Sequence, residues 1–156
     1  MNKITPCLWF DGQAEEAAKF YTAIFPDSGI DSVIPYTESA YGETGTTMLV
    51  NFRLRGQKFM ALNGGPQFPH THAISMSVMC DTQEELDKYW NALLEGGGEA
   101  EQCGWLKDKF GVSWQIVPAV VEDLLGPKAS DEQRERVMAA VMKMVKLDIA
   151  ALKRAV

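Results

Sequence analysis

Gly12-Gln-Ala-Glu-Glu-Ala-Ala-Lys-Phe-Tyr-Thr-Ala-Ile-Phe-Pro-Asp-Ser-Gly29 lies over Asp81-Thr-Gln-Glu-Glu-Leu-Asp-Lys-Tyr-Trp-Asn-Ala-Leu-Leu-Glu-Gly-Gly-Gly98 without a gap, and this overlay decides the fold. Glu15 and Glu16 meet Glu84 and Glu85, Lys19 meets Lys88, and the aromatic pair Phe20 and Tyr21 meets Tyr89 and Trp90. Ala23, Ile24 and Phe25 meet Ala92, Leu93 and Leu94, and Gly29 meets Gly98. Acidic residues open each stretch, where the helix dipole favours them, and the aromatics with their aliphatics recur at helical spacing. Two amphipathic helices of one kind follow. Helix formers such as Glu, Ala and Lys resemble one another by chance, but chance does not order aromatics, aliphatics and a terminal glycine alike.

The flanks repeat as well, which helix chemistry alone does not require. Ile4 to Phe10 precedes the first helix and Ala73 to Met79 the second, both readable as strands. Thr47 to Leu54 and Lys58 to Leu62 follow the first, joined by Arg55, Gly56 and Gln57, after a short strand expected at Asp31 to Tyr36 and a Gly/Thr-rich loop. Val112 to Val117 follows the second; laying Gly56 on Gly111 puts Phe59 over Trp114 and Met60 over Gln115. The expected fold class is α+β: two βαβββ modules forming a curved mixed sheet, plus a long C-terminal helix. Module one is read as residues 1–63, a breaker-rich connector as 64–71, module two as 72–118 and a linker as 119–129, in one single domain. The terminal helix is read as 130–155, capped by Ser130 with Gln133 three residues on, and Val137, Val141, Met144, Val145, Ile149 and Leu152 give it an apolar face.

Composition narrows the function classes. The 156 residues carry a formal charge of −6, with 46% hydrophobic and 23% charged side chains, so the chain is globular and its surface repels phosphate backbones. No nucleic acid and no membrane is expected as a partner. The start reaches Asp11 and Gly12 too soon for a secretory signal, and Cys7, Cys80 and Cys103 form neither a CxxC pair nor an even disulfide set. A cytoplasmic protein is the expectation.

The paired pattern resembles the vicinal oxygen chelate superfamily of glyoxalase I, bleomycin resistance proteins and extradiol dioxygenases. Pro6 to Gly12, Phe20-Tyr21 with Ile24 to Pro26, Cys103 to Asp108 and Phe110 to Pro118 resemble its PhnB-like branch, often labelled a demethylubiquinone methyltransferase family. Methyl transfer is not expected, because the glycine-rich turn with which common S-adenosylmethionine enzymes approach their cofactor is missing. Gly64-Gly65 runs into proline, and Gly96 to Gly98 ends a helix instead of opening one.

The resemblance implies a divalent metal held by His, Glu or Gln on the first and last strands of each module. Ile4 to Pro6 offers no ligand, Ala73 to Ser75 offers one hydroxyl, and Met60 stands opposite Gln115 in the overlay. His70 and His72 sit beside Pro69; an i, i+2 pair on one extended face can bind zinc if a third ligand converges, but the preferred reading is exposed or capping residues at a strand entrance. No metal and no cofactor is expected. Strand alternation sets Val50, Phe52 and Leu54 against Asn51 and Arg53, Ile74, Met76 and Val78 against Ser75, Ser77 and Met79, and Val112, Trp114 and Ile116 against Ser113 and Gln115. The expected ligand-binding set is Trp9, Asn51, Arg53, Ser75, Ser77, Trp105, Ser113 and Gln115, in a cavity between the modules, with Arg53 as anionic anchor and Gln115 as hydrogen-bonding centre. Cys7 and Cys80 read as small hydrophobes, and Cys103 in a loop as the more reactive candidate of the three, with a structural role the preferred reading.

Two functions fit these residues. The first is metal-independent binding of a small-molecule ligand, as in bleomycin resistance proteins. The second is a metal-dependent lyase, isomerase or dioxygenase acting on a small oxygenated substrate through Gln115. The resemblance and the apolar face of the terminal helix predict a homodimer.

Overall fold

The computed structural model describes residues 4–156, which divide into two compact units meeting at His70 and Thr71. The first unit runs β1 (Cys7–Phe10), α1 (Ala14–Ile24), β2 (Gly29–Pro35), β3 (Thr47–Leu54) and β4 (Gln57–Asn63). Its four strands lie in the order β1-β4-β3-β2, with β1 parallel to β4 and the other pairs antiparallel. Every second side chain is buried: Leu8 and Phe10 on β1, Val50, Phe52 and Leu54 on β3, Phe59, Ala61 and Asn63 on β4. Ala14, Ala17 and Ala18 are fully buried with Tyr21, so α1 lies close on the sheet. The Tyr21 ring stacks on Phe52 at 6.4 Å, and Phe52 on Phe59 at 5.5 Å. Each such buried aromatic contributes roughly 1.5–3 kcal/mol of transfer free energy. Arg55 and Gly56 both take positive φ, 47° and 76°, the two-residue turn whose twist matches that of a tight hairpin.

The second unit repeats that connectivity with β5 (Ser75–Cys80), α2 (Gln83–Leu94), β6 (Glu99–Ala100), β7 (Trp105–Lys107) and β8 (Ser113–Pro118). Its strand order is β5-β8-β7-β6, with β5 parallel to β8, so the two βαβββ modules expected from the overlay are present as two four-stranded mixed sheets. Thr82 caps α2 by accepting from Glu85 N at 3.1 Å, while the Glu85 carboxylate accepts from Asp81 N at 2.9 Å. Leu86, Tyr89, Trp90 and Leu93 form the buried stripe of α2, as the aromatic spacing predicts.

The overlay holds for the helices and slips by one residue in the strands before them. Three residues, Asp11, Gly12 and Gln13, join β1 to α1, whereas only Asp81 and Thr82 join β5 to α2. Cys7 pairs with Met60 and Ser77 with Gln115, so Cys7 is the counterpart of Ser77. Gly12, at φ 79°, absorbs the extra residue. The first opening strand begins at Cys7 and not at Ile4, and the second spans Ser75–Cys80 instead of 73–79.

The long terminal helix is also different. After α3 (Val120–Leu125), which lies inside the expected linker, α4 spans Asp131–Val141 and α5 spans Ile149–Arg154. Ser130 does cap α4, accepting from Gln133 N at 3.2 Å. Helical periodicity continues through 142–148, but the carbonyls of Met144 and Val145 accept from Cys103 N at 2.8 Å and Gly104 N at 2.7 Å. Leu147 is buried there, and Asp148 starts a new helix by accepting from Ala151 N at 2.7 Å. Tertiary backbone pairing thus outcompetes the weaker preference for one continuous helix. Among the described residues, no helix is long and apolar enough to cross a membrane.

Candidate functional site

In the second unit, the face of the sheet opposite the buried stripe is a polar ladder. Ser75 stands across from Ser113, Ser113 from Lys107, Ser77 from Gln115 and Gln115 from Trp105. Gln115 Nε2 donates to Ser75 Oγ at 2.9 Å, which orients the amide along the strand. Ser113 is 1% exposed, and among the described residues its hydroxyl meets no hydrogen-bond partner. A buried hydroxyl left without a partner costs about 1–3 kcal/mol, so a ligand group or water that satisfies it is favoured. Lys107 reaches across its sheet to Glu99 at 3.0 Å, so its charge is already matched. Trp105 lies on β7, not in a loop, and is half-buried, whereas Trp90 and Trp114 are core.

Asp108 holds this ladder in place, and sequence reasoning missed it. Its carboxylate is 2% exposed and accepts three N–H groups: Phe110 N at 2.9 Å, Val112 N at 3.0 Å and Trp114 Nε1 at 2.8 Å. Asp108 N in turn donates to Val112 O, and Gly111, at φ 85°, donates to Asp108 O. The Asp-Lys-Phe-Gly spacing is an Asx-turn signal that could have found it.

The first unit presents Arg53, Asn51 and Trp9 on the face away from its own core, and each side chain is engaged. Arg53 Nε donates to both carboxylate oxygens of Asp31, at 2.9 and 3.2 Å, and Asp31 accordingly raises the guanidinium pKa further. An anionic ligand has to compete with that carboxylate. Asn51 Nδ2 donates to Ser32 Oγ at 2.9 Å, and Asn51 lines a small cavity of about 190 Å³ with Asp31, Lys58 and Met60. Trp9 Nε1 donates to Gly65 O at 2.8 Å, and its ring meets Phe68 edge-on at 5.1 Å.

Strand register tests the expected metal. The opening and closing strands place Cys7 against Met60 in one unit and Ser77 against Gln115 in the other. Partial desolvation pushes the Cys7 thiol up, which disfavours a free thiolate there. Two sulfur atoms, a hydroxyl and an amide include no carboxylate or imidazole, so these donors do not fit a hard cation. The histidines serve elsewhere: His70 packs edge-on against Phe10 at 5.2 Å, and His72 Nε2 meets Glu101 at 2.7 Å. Among the described residues, no group of three or more His, Cys, Asp or Glu side chains is placed to hold a metal ion. Cys80 is fully buried as expected, but Cys7 is exposed, because β1 turns its side chain to the face away from Leu8 and Phe10. Cys103 takes φ 62° and its Sγ lies 3.6 Å from Met142 Sδ.

Paired βαβββ units with closing strands that run parallel to opening strands define a protein of the vicinal oxygen chelate fold. Within it, the chain belongs to the 3-demethylubiquinone-9 3-methyltransferase family, whose family model matches residues 2–117. A PhnB protein from Bacillus cereus is 39% identical, covering 76% of this chain and 100% of its own, with a TM-score of 0.69. A protein of Pseudomonas aeruginosa is 23% identical over 76% of this chain and 98% of its own, with a TM-score of 0.63. The fosfomycin resistance protein FosX of Listeria monocytogenes, solved with Mn(II) and sulfate ion, shares the fold at 12% identity, covering 85% and 94% with a TM-score of 0.52. A comparison with curated proteins returned no match.

Proposed function

We propose that the protein binds a small oxygen-bearing molecule without a metal, through Ser75, Ser77, Trp105, Ser113 and Gln115 of the second sheet. The buried, unpartnered Ser113 hydroxyl carries this reading, standing beside an amide pinned by Ser75. An aromatic face with a few fixed polar groups is the usual composition of a small-molecule site. Methyl transfer is not part of the proposal. The strand-to-helix turns, Asp11 to Gln13 and Asp81 to Thr82, contain one glycine between them and give no close backbone approach for a nucleotide-bearing cofactor.

Thermal unfolding in EDTA across hydroxy acids, quinols and neutral amides tests the proposal. At least one class should stabilise the wild-type chain and not Gln115→Leu. Stabilisation seen only after a divalent metal is added would reject it in favour of a metal-dependent enzyme, and tight binding of S-adenosylmethionine by calorimetry would restore methyl transfer. The same reading takes the protein as a cytoplasmic homodimer, supported by three free thiols and by Met138, Met142 and Val145, which are 42%, 63% and 41% exposed around the end of α4. A monomeric mass by light scattering would count against the dimer.

A further inference from the structure

A second cavity, of about 640 Å³, lies wholly within the first unit, where β4 ends, β3 begins and α1 starts. Its walls include Asp11, Glu15, Tyr36, Tyr41, Thr47 and Asn63, and among the described residues that line it none is a lysine or arginine. The floor is rigid. Asn63, 9% exposed, accepts from Ala14 N at 2.9 Å and donates to Thr47 O at 2.9 Å, and the Tyr36 hydroxyl donates to the Asn63 carbonyl. The loop between β2 and β3 is closed at its neck by Tyr36 N donating to Thr46 O at 2.8 Å and Gly45 N to Tyr36 O at 3.1 Å. Gly42 lies so close to the Tyr36 ring that a Cβ there would stand 2.3 Å from it, while Tyr41 is fully exposed at the rim.

We infer that this cavity is a site for an organic ammonium ion, held by the carboxylates of Asp11 and Glu15, with the rings of Tyr36 and Tyr41 in its wall. Carboxylates with electron-rich ring faces and no competing cation in the wall select a diffuse positive charge over a neutral molecule of equal shape. One internal competitor stands just outside. Lys19 Nζ meets Glu15 Oε1 at 2.7 Å, and Thr47 Oγ1 takes Oε2 at 3.0 Å. That Lys-Glu pair joins side chains 66% and 38% exposed one helical turn apart, an arrangement weak enough for a ligand cation to replace. Both interactions lower the Glu15 pKa, so the carboxylate is ionised at neutral pH.

Calorimetry with choline and with its neutral isostere 3,3-dimethyl-1-butanol tests the inference on the full chain. Choline should bind at least about fivefold more tightly than the alcohol, the factor a unit charge pair at contact gives even in water. Asp11→Asn and Glu15→Gln should each weaken choline and leave the alcohol unchanged, and Tyr41→Ala should weaken choline more than the alcohol. Lys19→Met should tighten choline about twofold, by removing a competing pair of this class, and no folding defect can produce a gain. Gln115→Leu should leave choline binding as it is, which separates this site from the one on the second sheet. Absence of choline binding, equal affinity for choline and the alcohol, or variants that bind choline like the wild type would each overturn the inference.

Discussion

Replacing Asp108 by Asn changes one oxygen for an NH₂ group inside a carboxylate that serves three donors. The remaining oxygen can still accept from Phe110 N and Val112 N, but the new amide N–H then faces the Trp114 indole N–H, which loses the 2.8 Å bond to Oδ2. A hydrogen bond to a charged group is worth about 1.5–3 kcal/mol net, and a buried indole N–H left bare adds to the loss, so Asp108→Asn should lower unfolding free energy by about 3 kcal/mol. Urea denaturation reads this directly, with the slope unchanged if only stability is affected. The mechanism is sharper in a double-mutant cycle. Trp114→Phe removes the donor, so in the Asp108→Asn background it should cost about 2 kcal/mol less than in the wild type. If the two costs add to within about 0.5 kcal/mol, Asp108 and Trp114 act independently and the hub reasoning fails.

Asp31→Asn releases Arg53 from its double contact and should tighten sulfate binding about fivefold by calorimetry, the upper range for an exposed ion pair; unchanged affinity means Asp31 does not mask Arg53. Gly104, at φ 82°, has Leu147 side-chain atoms 2.9 Å and Ile116 O 3.1 Å from any added Cβ, so Gly104→Ala should cost about 2 kcal/mol in denaturation. Lys146 and Gln83 bond the Asp87 carboxylate and lower its pKa. Such a carboxylate stabilises the fold above its unfolded pKa of about 3.9 and loses that contribution as pH falls through the lower folded value. Lys146→Met should therefore raise the Asp87 midpoint followed by carboxyl NMR, and the stability gap between variant and wild type should close in acid.

The helices were the most legible part because their period shows through substitution: Tyr21 and Trp90 both end buried in their units. Strand register was less legible. Side chains alternate with a period of two, so the single residue by which the β1–α1 turn exceeds its counterpart moves every facing position, and no helix alignment reveals it. Alternation along β3 and β8 leaves Val50, Phe52, Leu54, Trp114 and Ile116 buried as read, but Ile74, read as packed, lies before β5 and is 63% exposed, and Ser113, read as facing away from the core, is 1% exposed. That Arg53 is already engaged could not be read, because a register shift between Ile30 and Ser32 carries Asp31 onto it. Nor could the break near 142–148, which depends on carbonyls meeting Cys103 and Gly104, about 40 residues away in sequence.

The central claim is a polar sheet face that takes its ligand without a metal. The direct measurement uses ¹⁵N-labelled protein, purified without a histidine tag and assayed for metal before dialysis into EDTA, then titrated with the hydroxy acids, quinols and neutral amides. The side-chain amide of Gln115 and the indole N–H of Trp105 should shift together and saturate alike with and without added Mn²⁺. One stoichiometric divalent ion per chain before dialysis, or shifts that need the metal, would contradict the account.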